Sequence, residues 1–226
     1  MPLQTHSNDK LDAALSVYEK LKADIIAGAL PPDQKLKIEV LRDRYACSGS
    51  PLREALSRLT AESLVSQENQ RGFRVAAISS DDLRELIRMR KLIDVMALNE
   101  TMQQGDAAWE EGIILAHHRL TRAPSEISRD NRRDMTWIRS HGEFHRALLA
   151  ACPSYYLRNF SSQLFDSCER YREILSRVDV LYPRDLAGEH KAIMDAVLAR
   201  DFDRAPKLIC EHMDNSANLV LRTLDA

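Results

Sequence analysis

The chain has 226 residues, 44% of them apolar, enough for one large domain or two modest ones. Only 6% are aromatic and 7 are glycine, so the core rests mainly on aliphatic side chains and the scarcity of glycine argues against a large, turn-rich β domain. The net charge of −2 is no mark of a nucleic-acid binder, but residues 35–74 carry eight basic against five acidic side chains, a local +3 set against −5 elsewhere.

Over 11–28, Leu15, Tyr18, Leu21, Ile25 and Ile26 recur at helical spacing, and Gly28 with Pro31-Pro32 stops the helix. A short helix follows over 38–45, with Ile38, Leu41 and Tyr45 on one face. Next comes the turn-rich Cys47-Ser48-Gly49-Ser50-Pro51. Ser50 is expected to cap a third helix with Pro51 at its first position, where the missing N–H costs nothing. Leu52, Ala55, Leu56 and Leu59 supply the buried face of that helix. Leu64–Gln67 and Phe73–Ala76 then read as two strands joined by the polar turn Glu68–Gly72.

Two helices across a short turn, followed by a hairpin, make a winged helix-turn-helix. Its second helix enters the major groove N-terminus first, so double-stranded operator DNA is the expected partner. Ser48 and Ser50 can donate to phosphate oxygens. Arg53, in the first turn, can reach a base edge or a phosphate. Arg71, at the hairpin tip, can reach a minor groove, where the negative potential favours arginine.

From Ser79 onward the pattern is helical. Ser80 with Asp81 and Asp82 opens a helix whose expected buried positions are Leu83, Leu86, Ile87, Ile93, Met96 and Ala97. Further helices fit 106–121, 129–150, 154–178, 184–200 and 202–223, with breaks at Gly105, Pro124, Pro153 and Pro183. Six antiparallel helices with short joints can enclose a pocket. The expected fold is therefore mainly α: a winged helix-turn-helix over 1–78 and an antiparallel helical bundle over 79–226. No apolar run nears the roughly 20 residues of a membrane span. Met1 to Lys10 lacks a signal-peptide core, and Cys47, Cys152, Cys168 and Cys210 form no Cys-x-x-Cys pair. A cytoplasmic location, reduced thiols and no membrane partner are expected.

His141 and His145 share one helix face beside Phe144 and Leu148, while His190 and His212 lie on the apolar faces of two later helices. Together these four residues make a candidate site for a divalent metal such as zinc or nickel. A metal-free site, with some histidines binding an acid directly, is the alternative. His117 and His118 are adjacent and read as surface or packing residues. Arg90 and Asp94 fall on the apolar stripe of their helix, an unusual place for a charge pair unless it lines a cavity. Arg170 and Arg172 either clamp a carboxylate in two-point fashion or lie on a solvated helix edge. Arg90, Asp94, Arg170 and Arg172 are thus the candidate contacts for a small carboxylate effector. There is no His-Glu-x-x-His run, Gly-rich phosphate loop or nucleophile elbow. A metal-dependent helical-bundle enzyme and a ligand-free interaction protein are the rival readings to a regulator.

The segments Leu36–Ile38, Ser50–Leu59, Glu62–Val65 and Gln70–Ala76 resemble the GntR family of bacterial transcription regulators. The remainder resembles its FadR-type branch, which carries a helical FCD effector domain; the likeness spans about 11–222. It implies a homodimer, and DNA contacts at Ser48, Ser50, Arg53, Arg58, Arg71 and Gly72. It also implies a metal site patterned Asp-x-x-x-His with two later histidines, with His141 standing at the aspartate position. Gly49 stands where many relatives have arginine, so one expected DNA contact is absent. The run Gly49–Ser57, Arg71–Ala76, His141-x-x-Phe144-His145 and Arg170-Tyr171-Arg172 is similar to glutarate-responsive, carbon-starvation-related repressors. That likeness implies repression relieved by a small carboxylate, including a dicarboxylate such as glutarate.

Overall fold

Helical spacing of aliphatic residues builds the first core. Val17, Leu21 and Ile25 of α1 (Thr5–Ile26) are buried in one cluster with Leu52, Ala55, Leu56 and Leu59 of α3 (Gly49–Ala61) and Leu41 of α2 (Ile38–Tyr45). The computed structural model describes residues 5–68, 72–124, 134–171 and 184–225, with backbone alone for 5–14 and Glu68. The chain divides into two compact units, Met1–Ile78 and Ser79–Ala226.

In the first unit, β2 (Val65–Glu68) and β3 (Gly72–Val75) form the expected hairpin, with Ser66 opposite Arg74 and Glu68 opposite Gly72. A strand of two residues, β1 (Lys35–Leu36), was not expected and pairs antiparallel on the other side of β3. Two residues are too short to show an alternating pattern. The strand exists because the Val75 N–H donates to the Gln34 carbonyl at 2.9 Å and the Asp33 N–H donates to the Val75 carbonyl at 3.2 Å.

Helix α3 starts earlier than the sequence suggests. Ser48, with extended backbone, is the cap residue, and Pro51 is the third helical residue rather than the first. Proline is still accommodated, because the first-turn N–H groups have no partner within a helix. Between α2 and α3, Ala46 adopts the left-handed conformation, φ 50° and ψ 47°, and its N–H closes onto the Arg42 carbonyl. This left-handed residue makes the tight turn of the helix-turn-helix.

In the second unit, the described helices are α4 (Ser80–Gln104), α5 (Ala107–Arg122), α6 (Met135–Leu148), α7 (Tyr155–Glu169), α8 (Leu186–Leu198) and α9 (Arg204–Leu224). Side-chain oxygens of Ser79, Asp106, Asp134, Ser154 and Asp185 accept from N–H groups in the first turns of α4 to α8, which fixes where each begins. At the α4–α5 joint, a Cβ on Gly105 would fall 2.1 Å from the Trp109 ring, so only glycine fits there. The expected helical stretches 129–133 and 172–178, and the break at Pro183, lie outside the described residues.

Packing neighbours run α7, α4, α9, α8, α5, α6. Phe165 of α7, with its ring centroid 5.8 Å from that of His141 on α6, closes the circle. On α4 the buried stripe is Leu83, Ile87, Arg90, Asp94, Ala97, Leu98 and Thr101. Met96, expected in the core, is 56% exposed, and Leu86 and Ile93 are only half-buried. At 3.6 residues per turn, Met96 is rotated by about 100° from Ala97 and so leaves the buried stripe.

A left-handed alanine costs roughly 1–2 kcal/mol, partly offset by the chain entropy that glycine would lose on folding. Ala46→Gly is therefore expected to stabilise the DNA-binding unit by about 0.5–1 kcal/mol. Denaturant titration checks this; a destabilised variant contradicts the turn assignment.

Candidate DNA-reading face and histidine site

The N-terminus of α3 presents its candidate contacts to solvent. Ser48, Ser50 and Arg53 are all exposed. A Cβ built on Gly49 would stand 3.4 Å from Arg53 Nη1, so the guanidinium lies back over Gly49. Arg58 is exposed as well, but its guanidinium lies 4.1 Å from the centroid of the Tyr18 ring. Tyr18 in turn donates to Glu62 at 2.6 Å, and Lys22 pairs with Glu62 at 2.8 Å. Arg58 therefore braces α1 against α3. Gly72 is exposed at φ +100°, a conformation that an L side chain rarely adopts. Arg71 lies outside the described residues.

The four predicted histidines come together. His141 and His145 from α6, His190 from α8 and His212 from α9 are each 2–5% exposed. One ring nitrogen from each lies within 4.8 Å of the other three. The Nε2 atoms of His141 and His145 are 3.1 Å apart. Two imidazole nitrogens on one zinc, each at about 2.0–2.1 Å, are separated by roughly 3.3 Å in a tetrahedron. The His141 ring is stacked on Trp137, with centroids 4.7 Å apart and planes at 13°. Edge contact with Phe144 at 5.3 Å fixes His190 in the same way.

His212 shows the orientation that a ligating histidine needs. Its Nδ1 lies 2.8 Å from Glu189 Oε2. Arg184 donates from Nε to Glu189 Oε1 at 2.7 Å and from Nη2 to Oε2, and it also reaches the His212 carbonyl at 3.1 Å. Burial on its own would raise the Glu189 carboxyl, but the bonds from Arg184 and His212 outweigh it and pull the pKa down to about 2. An ionised carboxylate only accepts, so Nδ1 of His212 carries the proton and Nε2 keeps its lone pair. Burial pushes the His212 pKa down despite Glu189, which keeps the ring neutral and able to ligate. Four imidazole nitrogens with a carboxylate behind one of them fit zinc, nickel or a similar divalent ion.

Two cavities flank this cluster. The smaller, about 50 Å³, is lined by His141, His145, His212, Arg90, Glu169 and Tyr171, among others. The larger, about 150 Å³, shares Arg90 and His145 with it. Arg90 and Asp94 are 7% and 2% exposed and are joined at 3.2 Å, as their place on the α4 stripe suggests. Burial opposes the Arg90 cation, but Asp94, then Cys168 and Glu169, hold its pKa above the usual value. Burial pushes the Asp94 carboxyl up, with Arg90 and Ser161 working against it.

Arg170 is placed differently from its expected role. It donates to Asp82 at 3.0 Å and to the Ser167 carbonyl at 3.1 Å. Neither cavity includes it in its lining. Its neighbour Tyr171 lines the smaller cavity, donates to Asp82 at 2.6 Å and accepts from the Ser79 N–H at 3.2 Å. Both residues thus anchor the first turn of α4. Arg172 lies outside the described residues. Sequence reasoning missed Glu189, Arg184 and Trp137, which orient the histidines. Trp137 sits four residues before His141 and carried a usable helical-spacing signal; Glu189 and Arg184 reach His212 only across a helix packing.

A winged helix-turn-helix followed by a helical bundle around a buried histidine cluster defines a two-domain transcription regulator with a sensing domain. Residues 13–75 match the model of the bacterial regulatory proteins of the gntR family, and residues 85–215 match the FCD domain. The chain belongs to the GntR family of regulators that carry an FCD domain. It is 37% identical over 203 residues to the HTH-type transcriptional repressor GlaR of Escherichia coli K12, covering 88% of this chain and 92% of GlaR. It is also 37% identical over 206 residues to the uncharacterized HTH-type transcriptional regulator BphR of Paraburkholderia xenovorans LB400, covering 91% of this chain and 84% of BphR. The solved structure of E. coli McbR/YncC superposes with a TM-score of 0.78 at 21% identity, covering 93% and 98% of the two chains. Family and relatives point to a transcription regulator rather than an enzyme. Among the described residues, no helix is long and apolar enough to cross a membrane.

A carboxylate behind a ligating histidine typically changes metal affinity by 10–100-fold. Glu189→Gln is expected to weaken zinc binding by about that factor, read by competition with a chromogenic chelator. Unchanged affinity would separate His212 from the metal site.

Proposed function

We propose that this regulator is a homodimeric repressor on a pseudo-palindromic operator, released when a small carboxylate binds in the helical bundle over a divalent metal. The convergence of four buried histidines in the sensing unit carries the reading. His141, His145, His190 and His212 would hold zinc or nickel, and the ion would supply positive charge and an attachment point for a carboxylate oxygen. Because all four protein ligands are neutral, the ion's full charge remains for the acid. Arg90, buried at the edge of both cavities, adds a fixed cation for the same ligand. The likeness to glutarate-responsive repressors supports a dicarboxylate such as glutarate as the effector.

A second copy is supported by exposed apolar side chains on the neighbouring helices α4 and α7. Leu92 and Met96 on α4, and Tyr156 and Phe160 on α7, are 48–70% exposed. Exposed large apolar side chains on neighbouring helices suit a symmetric subunit contact. Two recognition helices brought together in this way would read two half-sites. The acid can change operator affinity only by binding one arrangement of the two readers better than the other.

Arg53→Ala is expected to weaken binding to a selected operator duplex by about 1–3 kcal/mol if Arg53 reads a base. Fluorescence anisotropy measures this. His190→Ala is expected to keep operator affinity and lose acid-induced release. Unchanged operator affinity in the first variant removes Arg53 from the reader; unchanged release in the second removes the histidine site from the sensor.

A further inference from the structure

We propose that the larger cavity is a second anion subsite, in which Arg146 and Arg158 hold the far end of the effector and select α,ω-dicarboxylates over monocarboxylates. This rests on the acid-sensing reading above and assigns to it residues outside the expected effector contacts. Arg90, Arg146 and Arg158 are lining residues of the cavity, with Asp94 the acidic one, a net formal charge of +2. Ser161, which bonds Asp94, and Ser162 lie on the same wall.

The cations are graded in depth. Arg90 and His145 are 7% and 5% exposed, while Arg146 and Arg158 are exposed. The cavity therefore runs from solvent-accessible arginines down to the histidine cluster. Leu149, Phe165 and Ile209 line it as well, and they offer no hydrogen bond to a polar ligand. A cation at each end with apolar walls between complements a carboxylate, a short run of methylenes and a second carboxylate.

The Arg146 guanidinium makes no hydrogen bond or ion pair among the described residues, while its backbone carbonyl accepts from the Leu149 N–H at 3.1 Å. Arg158 gives one N–H to the Cys152 carbonyl and keeps the rest of its fork. Gly142, one turn before Arg146 inside α6, lies beneath the Arg146 side chain. A Cβ there would come within 3.1 Å of Arg146 Nη2, so the missing side chain leaves a seat for the guanidinium. Glycine inside a helix is otherwise unfavourable.

Calorimetric titration of the full-length chain with glutarate and with pentanoate, which has the same carbon count and one carboxylate fewer, tests the proposal. Wild type is expected to bind glutarate about tenfold or more tightly than pentanoate, as expected for charge-assisted bonds to the second carboxylate. Arg146→Gln and Arg158→Gln should each reduce that preference, while pentanoate affinity changes by less than about threefold. Arg146→Gln breaks no bond among the described residues, so it remains informative if Arg158→Gln, which frees the Cys152 carbonyl, unfolds. Equal affinity of wild type for the two acids, or a preference that survives in the folded variants, overturns the subsite alone. Binding of neither acid by wild type overturns the acid-sensing reading on which it rests.

Discussion

Four imidazole rings held almost wholly out of water, each with a nitrogen inside one 4.8 Å group, impose the condition that the sensing unit must meet. A polar ring buried without compensation costs on the order of 1–3 kcal/mol. Four of them demand a fixed protonation state, fixed orientation and a common purpose. The unit meets the first demand by burial, which keeps His212 neutral. It meets the second with Trp137, Phe144 and the Arg184–Glu189 pair, each locking one ring from behind. The divalent ion proposed above would answer the third.

The ring of helices follows from the same condition. His141 and His145 need only the i,i+4 spacing of α6, but His190 and His212 must arrive from α8 and α9. Asp134 and Asp185 cap α6 and α8 and so set where these two helices start and which turn of each faces inward. Arg90 and Asp94 can then replace apolar residues on the α4 stripe, because the space beside the cluster is cavity rather than packed core. Tyr171 belongs to both the smaller cavity and the start of the unit, since its hydroxyl bonds Ser79 and Asp82.

Local chemistry was readable from the residues, and cross-helix chemistry was not. The helix-turn-helix order, the hairpin and the His141–His145 face depend on neighbours a few positions apart. So does the intrusion of Arg90 and Asp94 into an apolar stripe. The start of α3 was misplaced by two residues, because Ser48 and Ser50 are both good caps and local sequence does not choose between them. Arg170 read either as a two-point carboxylate clamp or as a solvated helix edge, yet its partner Asp82 is 88 positions away. Arg146 and Arg158 look like ordinary solvated arginines until folding puts both at one cavity rim. Glu189 was invisible for the same reason: its significance lies in a bond across 23 positions to His212.

X-ray absorption at the metal edge, on the full-length chain loaded with zinc, reads the histidine cluster most directly. One zinc per chain with about four nitrogen ligands at roughly 2.0–2.1 Å, losing one of them in His190→Ala, is the expected result. A chain that takes up no zinc, or a zinc whose ligands are unchanged in His190→Ala, would contradict the metal assignment and leave the four histidines as direct partners of the acid.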